Sequence, residues 1–143
     1  MKIVIGCDHA GFLLKEIIKQ YLQKKHYTVI DVGCHNENSC HYPEIATKLC
    51  TYIISPDYDI HQGILICGSG IGMSMKANRF QLIRCALCHN IETAELSRKH
   101  NNANVLALGS RILNQSDVLT IVDTFLTTPF ENQPRHVHRI NLL

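Results

Sequence analysis

The sequence predicts an α/β fold: a doubly wound, mostly parallel five-stranded sheet with helices on both faces, of the Rossmann-like kind. Three observations carry that expectation. Short β-branched apolar runs alternate with longer segments of helical period along the whole chain. The run Gly63-Ile64-Leu65-Ile66-Cys67 has no polar alternation, as a strand covered on both faces has none. Glycine follows several of the runs (Gly33, Gly68, Gly109), where the chain must leave a strand sharply.

The elements follow in order. Ile3-Val4-Ile5 begins the first strand, and Phe12 to Leu22 carries the apolar spacing of an amphipathic helix. Val29-Ile30-Asp31-Val32 is the second strand. After a polar stretch, Pro43 opens a helix to about Ile54, proline being well placed in a first turn. Gly63 to Cys67 is the third strand, followed by a helix over Met73–Phe80. Arg84–Cys88 reads as a strand, Ile91–Lys99 as a helix and Asn104–Leu108 as the fifth strand. A last helix, capped by Asn114 or Ser116, runs through Val118, Ile121, Val122 and Phe125. At 143 residues this is one domain, 1–143, with an extension from about 129 expected to pack on a partner subunit.

Composition narrows the function. Hydrophobic residues make up 45% and charged residues 18%, which is globular, and the net charge of +2 is too small to suggest nucleic acid. No stretch approaches the roughly 20 apolar residues of a membrane helix. Seven cysteines, an odd number, fit a reducing compartment better than a disulfide framework, so a cytoplasmic location is expected.

Ligands of such folds bind outside the carboxyl ends of the strands, where the strand order reverses. That rule singles out Cys7-Asp8-His9, Cys67-Gly68-Ser69 and Gly109-Ser110-Arg111. Gly68-Ser69-Gly70-Ile71-Gly72, between a strand and a helix, has the makings of an anion cradle. Its spacing is neither the dinucleotide fingerprint nor a Walker loop, and a plain tight turn is the competing reading. Cys67 at its start is either a small buried hydrophobe or a thiol activated by the amides beside it, with the Ser69 hydroxyl next to it. Asp8 reads equally as a helix cap or a polar site group, and His9 as a phosphate ligand. His100 reads as a solvated helix end or a proton-transfer group. Arg135 and Arg139 stand four apart, so on a helix they share a face and can clamp a phosphate. Metal readings lose: Cys34-His35 with Cys40-His41 has no recognised zinc spacing, Cys85 and Cys88 on a strand point to opposite faces, and His136 with His138 has weak support.

Three segments taken together resemble the B-type ribose-5-phosphate isomerases. They are Gly6-Cys7-Asp8-His9-Ala10-Gly11; Ile66 to Gly72; and Arg98-Lys99-His100-Asn101 with Asn104-Val105-Leu106-Ala107 and Gly109-Ser110-Arg111. The resemblance spans the chain, including Arg135-His136 and Arg139. It implies interconversion of ribose 5-phosphate and ribulose 5-phosphate through an enediolate, with no cofactor and no metal. Cys67 matches the base; a second subgroup uses a glutamate where this chain has Met73. Gly68, Ser69, Gly70, Ile71 and Gly72 match the hole for the enediolate, and His100 the ring opener, with Asp8 as a polar partner nearby. His9, Arg135 and Arg139 match phosphate ligands, with Asn101 and Arg111 in the same pocket. Tyr42 belongs to an Asp-Tyr-Pro element in which His41 replaces the aspartate. The resemblance further implies a homodimer or homotetramer with sites shared between subunits. Two alternatives remain at this stage: an isomerase of a hexose 6-phosphate of the allose or galactose type, and a non-enzymatic sugar-phosphate sensor.

Overall fold

The structure, a computed structural model, describes all 143 residues, Met1–Leu143. Five strands form one parallel sheet: β1 (Lys2–Cys7), β2 (Thr28–Asp31), β3 (Gln62–Cys67), β4 (Cys85–Leu87) and β5 (Val105–Gly109), in the order β2-β1-β3-β5-β4. The helices are α1 (Phe12–Lys24), α2 (Tyr42–Ile54), α3 (Ile71–Ala77), α4 (Ile91–Asn101), α5 (Gln115–Thr127) and α6 (Pro134–Ile140). The expected doubly wound α/β architecture is present.

Alternation along the strands builds two cores. Ile3, Ile5 and Cys7 of β1, Ile64 and Ile66 of β3, and Leu106 and Leu108 of β5 face α1 and α5. Val4, Leu65, Cys67 and Val105 face the other way, onto α2 and α3. Every residue of β3 is buried, which is what its unbroken apolar run requires. Cys85 and Cys88 pack into opposite cores, as their spacing demands.

The order has its switch between β1 and β3, where the chain winds outward in both directions. Register puts Cys7 beside Ile66 and Cys67 beside Gly109, so these three strands end at one level. Asp8, Gly68 and Ser110 therefore leave the sheet side by side.

Some boundaries differ from the sequence reading. α3 begins two residues earlier and ends three earlier than expected, because Gly70 turns directly into it and Asn78 leaves to bond Cys85 through its side chain. β4 keeps only three residues, since Arg84 is held by the Asn104 side chain instead of a longer ladder. Asn114, not Ser116, occupies the cap position of α5. The tail forms α6, lying against α4 of its own chain. The cysteines are not uniformly free: Cys34 is joined to Cys40, because the polar turn after Gly33 folds back on itself, while the other five are thiols. The same pairing removes both sulfurs from any zinc set built on Cys34-His35 and Cys40-His41.

Candidate active site

At the switch point the loops are stitched to one another by the backbone. Asp8 N–H donates to Ile66 O at 3.0 Å, Ser110 N–H to Cys67 O at 2.8 Å and Arg111 N–H to Gly68 O at 3.0 Å. The Ser110 hydroxyl donates to Ala10 O at 2.8 Å, tying the first and fifth strand ends together. Groups on three different loops thus share one rigid floor, which is what chemistry at a strand edge needs.

Cys67 lies on that floor. Its Sγ accepts the Gly70 N–H at 3.1 Å, and its side chain is 5% exposed. Gly70 can aim its amide back because its φ is +77°; a Cβ there would also stand 2.5 Å from Leu87 and 2.9 Å from the Leu108 carbonyl carbon. Ser69 Oγ accepts the Ile71 N–H at 3.2 Å, closing the first turn of α3. Tyr42 lies flat against Gly72, where a Cβ would meet its ring at 2.7 Å. The Arg111 side chain passes over Gly68.

Burial pushes Cys7 up to about 11 and Cys50 up to about 12, and it raises Cys85 and Cys88 as well. Those four stay protonated and, like Cys67, sit in the cores or their margins. Cys67 alone receives a backbone N–H.

Asp8 is 8% exposed, and its Oδ1 accepts the Gly11 N–H at 3.1 Å, so it caps the short 3-10 turn His9–Gly11. His9 Nδ1 faces the Cys40 N–H at 3.4 Å, which leaves Nε2 as the nitrogen that carries a proton when the ring is neutral. Asp8, His9, Tyr42, Cys67, Gly68, Ser69, Gly70, Ile71, Gly72 and Arg111 therefore gather at the carboxyl edge.

His100, Asn101, Arg135 and Arg139 do not join them. α4 starts after β4 at the carboxyl edge and runs back for 11 residues, about 16 Å at the usual helical rise. Three residues beyond it, Asn104 accepts from Gly63 N through its carbonyl and from Arg84 N through its side chain, at the amino ends of β3 and β4. His100 thus lies at the opposite edge from Cys67, and the expected nearness of Asp8 to His100 does not hold within one chain. There His100 stacks on His136 of α6, with ring centroids 4.5 Å apart. Arg135 and Arg139 are exposed on α6, one turn apart.

Sequence reading missed the partners of His100. Glu131 and His136 lie more than 30 residues away along the chain, and only the packing of the tail on α4 brings them in; Glu131 N–H bonds Lys99 O at 3.2 Å. His136 is 5% exposed, and burial first, then His100 and the neighbouring arginines, hold its imidazole below the usual range. Two clefts of about 870 and 690 Å³ lie along the amino edge and beside α6, and neither reaches Cys67.

Comparison with known proteins turns this arrangement into a class, the sugar phosphate isomerases. The chain belongs to the ribose/galactose isomerase family, whose model matches residues 3–143. It is 39% identical to ribose-5-phosphate isomerase B of Escherichia coli over 142 residues, covering 99% of this chain and 93% of that one. The ribose 5-phosphate isomerase of Thermotoga maritima superposes with a TM-score of 0.93 at 48% identity, over 99% of this chain and 95% of the other. The Mycoplasma genitalium ribose-5-phosphate isomerase B, solved with bound ribulose 5-phosphate, gives 0.91 at 39% identity, over 99% and 92%.

Proposed function

We propose that this chain interconverts ribose 5-phosphate and ribulose 5-phosphate with Cys67 as the base. The observation that carries the reading is the Gly70 N–H on Cys67 Sγ at the switch point, an amide donor that stabilises negative charge on sulfur. Met73, fully buried on the inner face of α3, leaves no carboxylate at that position to compete for the role.

The steps balance without a cofactor. His100 opens the ring, giving its proton to the ring oxygen and recovering one from the C1 hydroxyl, so the step is proton-neutral. The Cys67 thiolate takes the C2 proton, and the C1 carbonyl oxygen gains charge as the C1–C2 double bond forms. Donors of Gly68 to Gly72 and the Ser69 hydroxyl stabilise that oxyanion. The thiol returns its proton to C1, while the O2 proton is passed to O1, leaving the ketose. His9, Arg135 and Arg139 hold the phosphate, with Asn101 and Arg111 at its margin.

Since His100 and Cys67 stand at opposite edges of one chain, a complete site requires a second copy that brings its α4 and α6 ends to the first copy's carboxyl edge. A homodimer, alone or within a tetramer, supplies that. Exposed Ile71, Met75 and Tyr42 beside the glycine loop are apolar surface for such a partner to cover.

Cys67→Ala tests the base. It is expected to fold normally and to lose about 10²–10⁴ in kcat with KM little changed; retained turnover rejects the assignment. Parallel kcat/KM measurements on ribose 5-phosphate, allose 6-phosphate and galactose 6-phosphate test the substrate, ribose 5-phosphate being expected to lead. Binding of sugar phosphates without any isomerisation marks a sensor instead.

A further inference from the structure

We propose that His100, Glu131 and His136 form a binding site for a divalent transition cation of the zinc class, and that the bound cation inhibits isomerisation by occupying His100. The inhibition rests on the ring-opening role given to His100 above; the binding does not.

The donor atoms of the three side chains all lie within 4.8 Å of one another. His136 Nε2 is 3.7 Å from Glu131 Oε2. That same nitrogen is buried and has no hydrogen-bond partner, although a buried polar nitrogen ordinarily finds one. That nitrogen, beside a carboxylate and in a ring stacked on a second imidazole, is a buried donor atom left without a partner.

Two imidazoles and one carboxylate are the donor set of zinc sites that keep their fourth position open for water. Imidazole also selects for zinc, cobalt, nickel and copper over magnesium and calcium. Metal–nitrogen bonds of about 2.0–2.1 Å put tetrahedral donors roughly 3.3 Å apart, so the His136–Glu131 pair must close by about 0.4 Å and the widest pair by at most about 1.5 Å. The His100 and His136 planes are 15° apart, so one ring must turn for both lone pairs to converge. His100 is half-buried on the last turn of α4 and Glu131 is exposed, which makes these two the groups that move onto a fixed His136. His138, the other histidine of α6, is exposed and takes no part. Arg135 and Arg139 flank the trio and oppose a cation, so phosphate ester and metal are antagonists at this end of the protomer.

Titrating the chelator-treated, full-length protein with Co²⁺ tests the site. The wild type is expected to develop the visible bands of tetrahedral cobalt at one ion per chain, and Zn²⁺ to bleach them. Glu131→Gln and His136→Gln should each weaken Co²⁺ binding by at least about tenfold, since even an outer partner of a metal ligand is worth that much. Circular dichroism checks that both variants fold, and Glu131→Gln, altered at an exposed position, keeps the test decisive if His136→Gln does not. Absent bands, or bands unchanged in Glu131→Gln, overturn the site; strong near-ultraviolet charge transfer from sulfur places the metal on a cysteine and overturns it too. In the activity arm, Zn²⁺ should inhibit the wild type reversibly and Glu131→Gln should need at least about tenfold more. Binding without inhibition overturns the second half of the proposal. A protein that shows the cobalt bands but isomerises nothing separates failure of the enzymatic reading from failure of the site.

Discussion

Lys15 is wholly buried on α1, yet its ammonium reaches Asp31 at 2.8 and 2.7 Å and the Cys34 carbonyl at 2.7 Å. Asp31 takes further hydrogen bonds from Lys19 and from Gly33 N. Burial alone raises the Asp31 carboxyl; the bonds from Lys15, Lys19 and Gly33 outweigh it and lower it below its ordinary 3.8. A carboxyl depressed on folding contributes stability that is present above its unfolded value and fades as pH falls through the folded one. Asp31→Asn should therefore cost up to about 3–5 kcal/mol at neutral pH, because it leaves a buried ammonium with only Glu16, 3.4 Å away, as countercharge. The gap from wild type should narrow in acid below the ordinary aspartate value; urea midpoints at several pH values check both parts. Nothing in the sequence announced this pair. Lys15 sits in a helical pattern that tolerates a lysine at its margin, and its burial depends on Asp31, at the end of another strand. The turn after Cys67 was legible because it is rich in glycine, and glycine at a strand end has few explanations.

At the next scale, α2 starts without a side-chain cap. His41 occupies the cap position in extended backbone and makes no capping hydrogen bond. His41→Asp supplies an acceptor and a negative charge where the helix exposes its N–H groups, and should add about 0.5–2 kcal/mol of stability. A raised urea midpoint with an unchanged slope is the expected signature. The turn before α2 also carries the Cys34–Cys40 bridge, whose second cysteine presents its N–H to His9. Reduction, or Cys40→Ser, should loosen that approach and raise KM for the sugar phosphate several-fold with kcat little changed; identical KM with and without reductant shows that the bridge does not serve the site. The long periodic helices and the all-apolar β3 could be read from the chain because burial imposes their pattern at every residue. β4 was read two residues too long, Arg84–Cys88 for Cys85–Leu87, since the Asn104 and Asn78 side chains hold the chain on either side.

Over the whole molecule, the parallel topology puts every residue that follows a strand at one edge and every residue that ends a crossover helix at the other. Three motifs on the sequence pointed to one active site, but this geometry assigns Cys67 and His100 to opposite ends, a fact of handed crossovers that no linear motif records. In the proposed dimer, each of two symmetric sites takes Cys67 from one copy and His100 from the other. Two inactive proteins should rescue each other. Cys67→Ala and His100→Asn, each expected to keep no more than about a hundredth of wild-type turnover alone, form hybrid pairs when unfolded together and refolded. One site of each hybrid carries both lesions and the other carries none. Random pairing makes half the dimers hybrid, so the equimolar mixture should recover about a quarter of wild-type kcat per chain. The recovered activity should co-elute with the dimer on gel filtration. A mixture as inactive as its components, although hybrids are shown to form by differential tagging, would mean that His100 acts on the sulfur of its own chain or not at all.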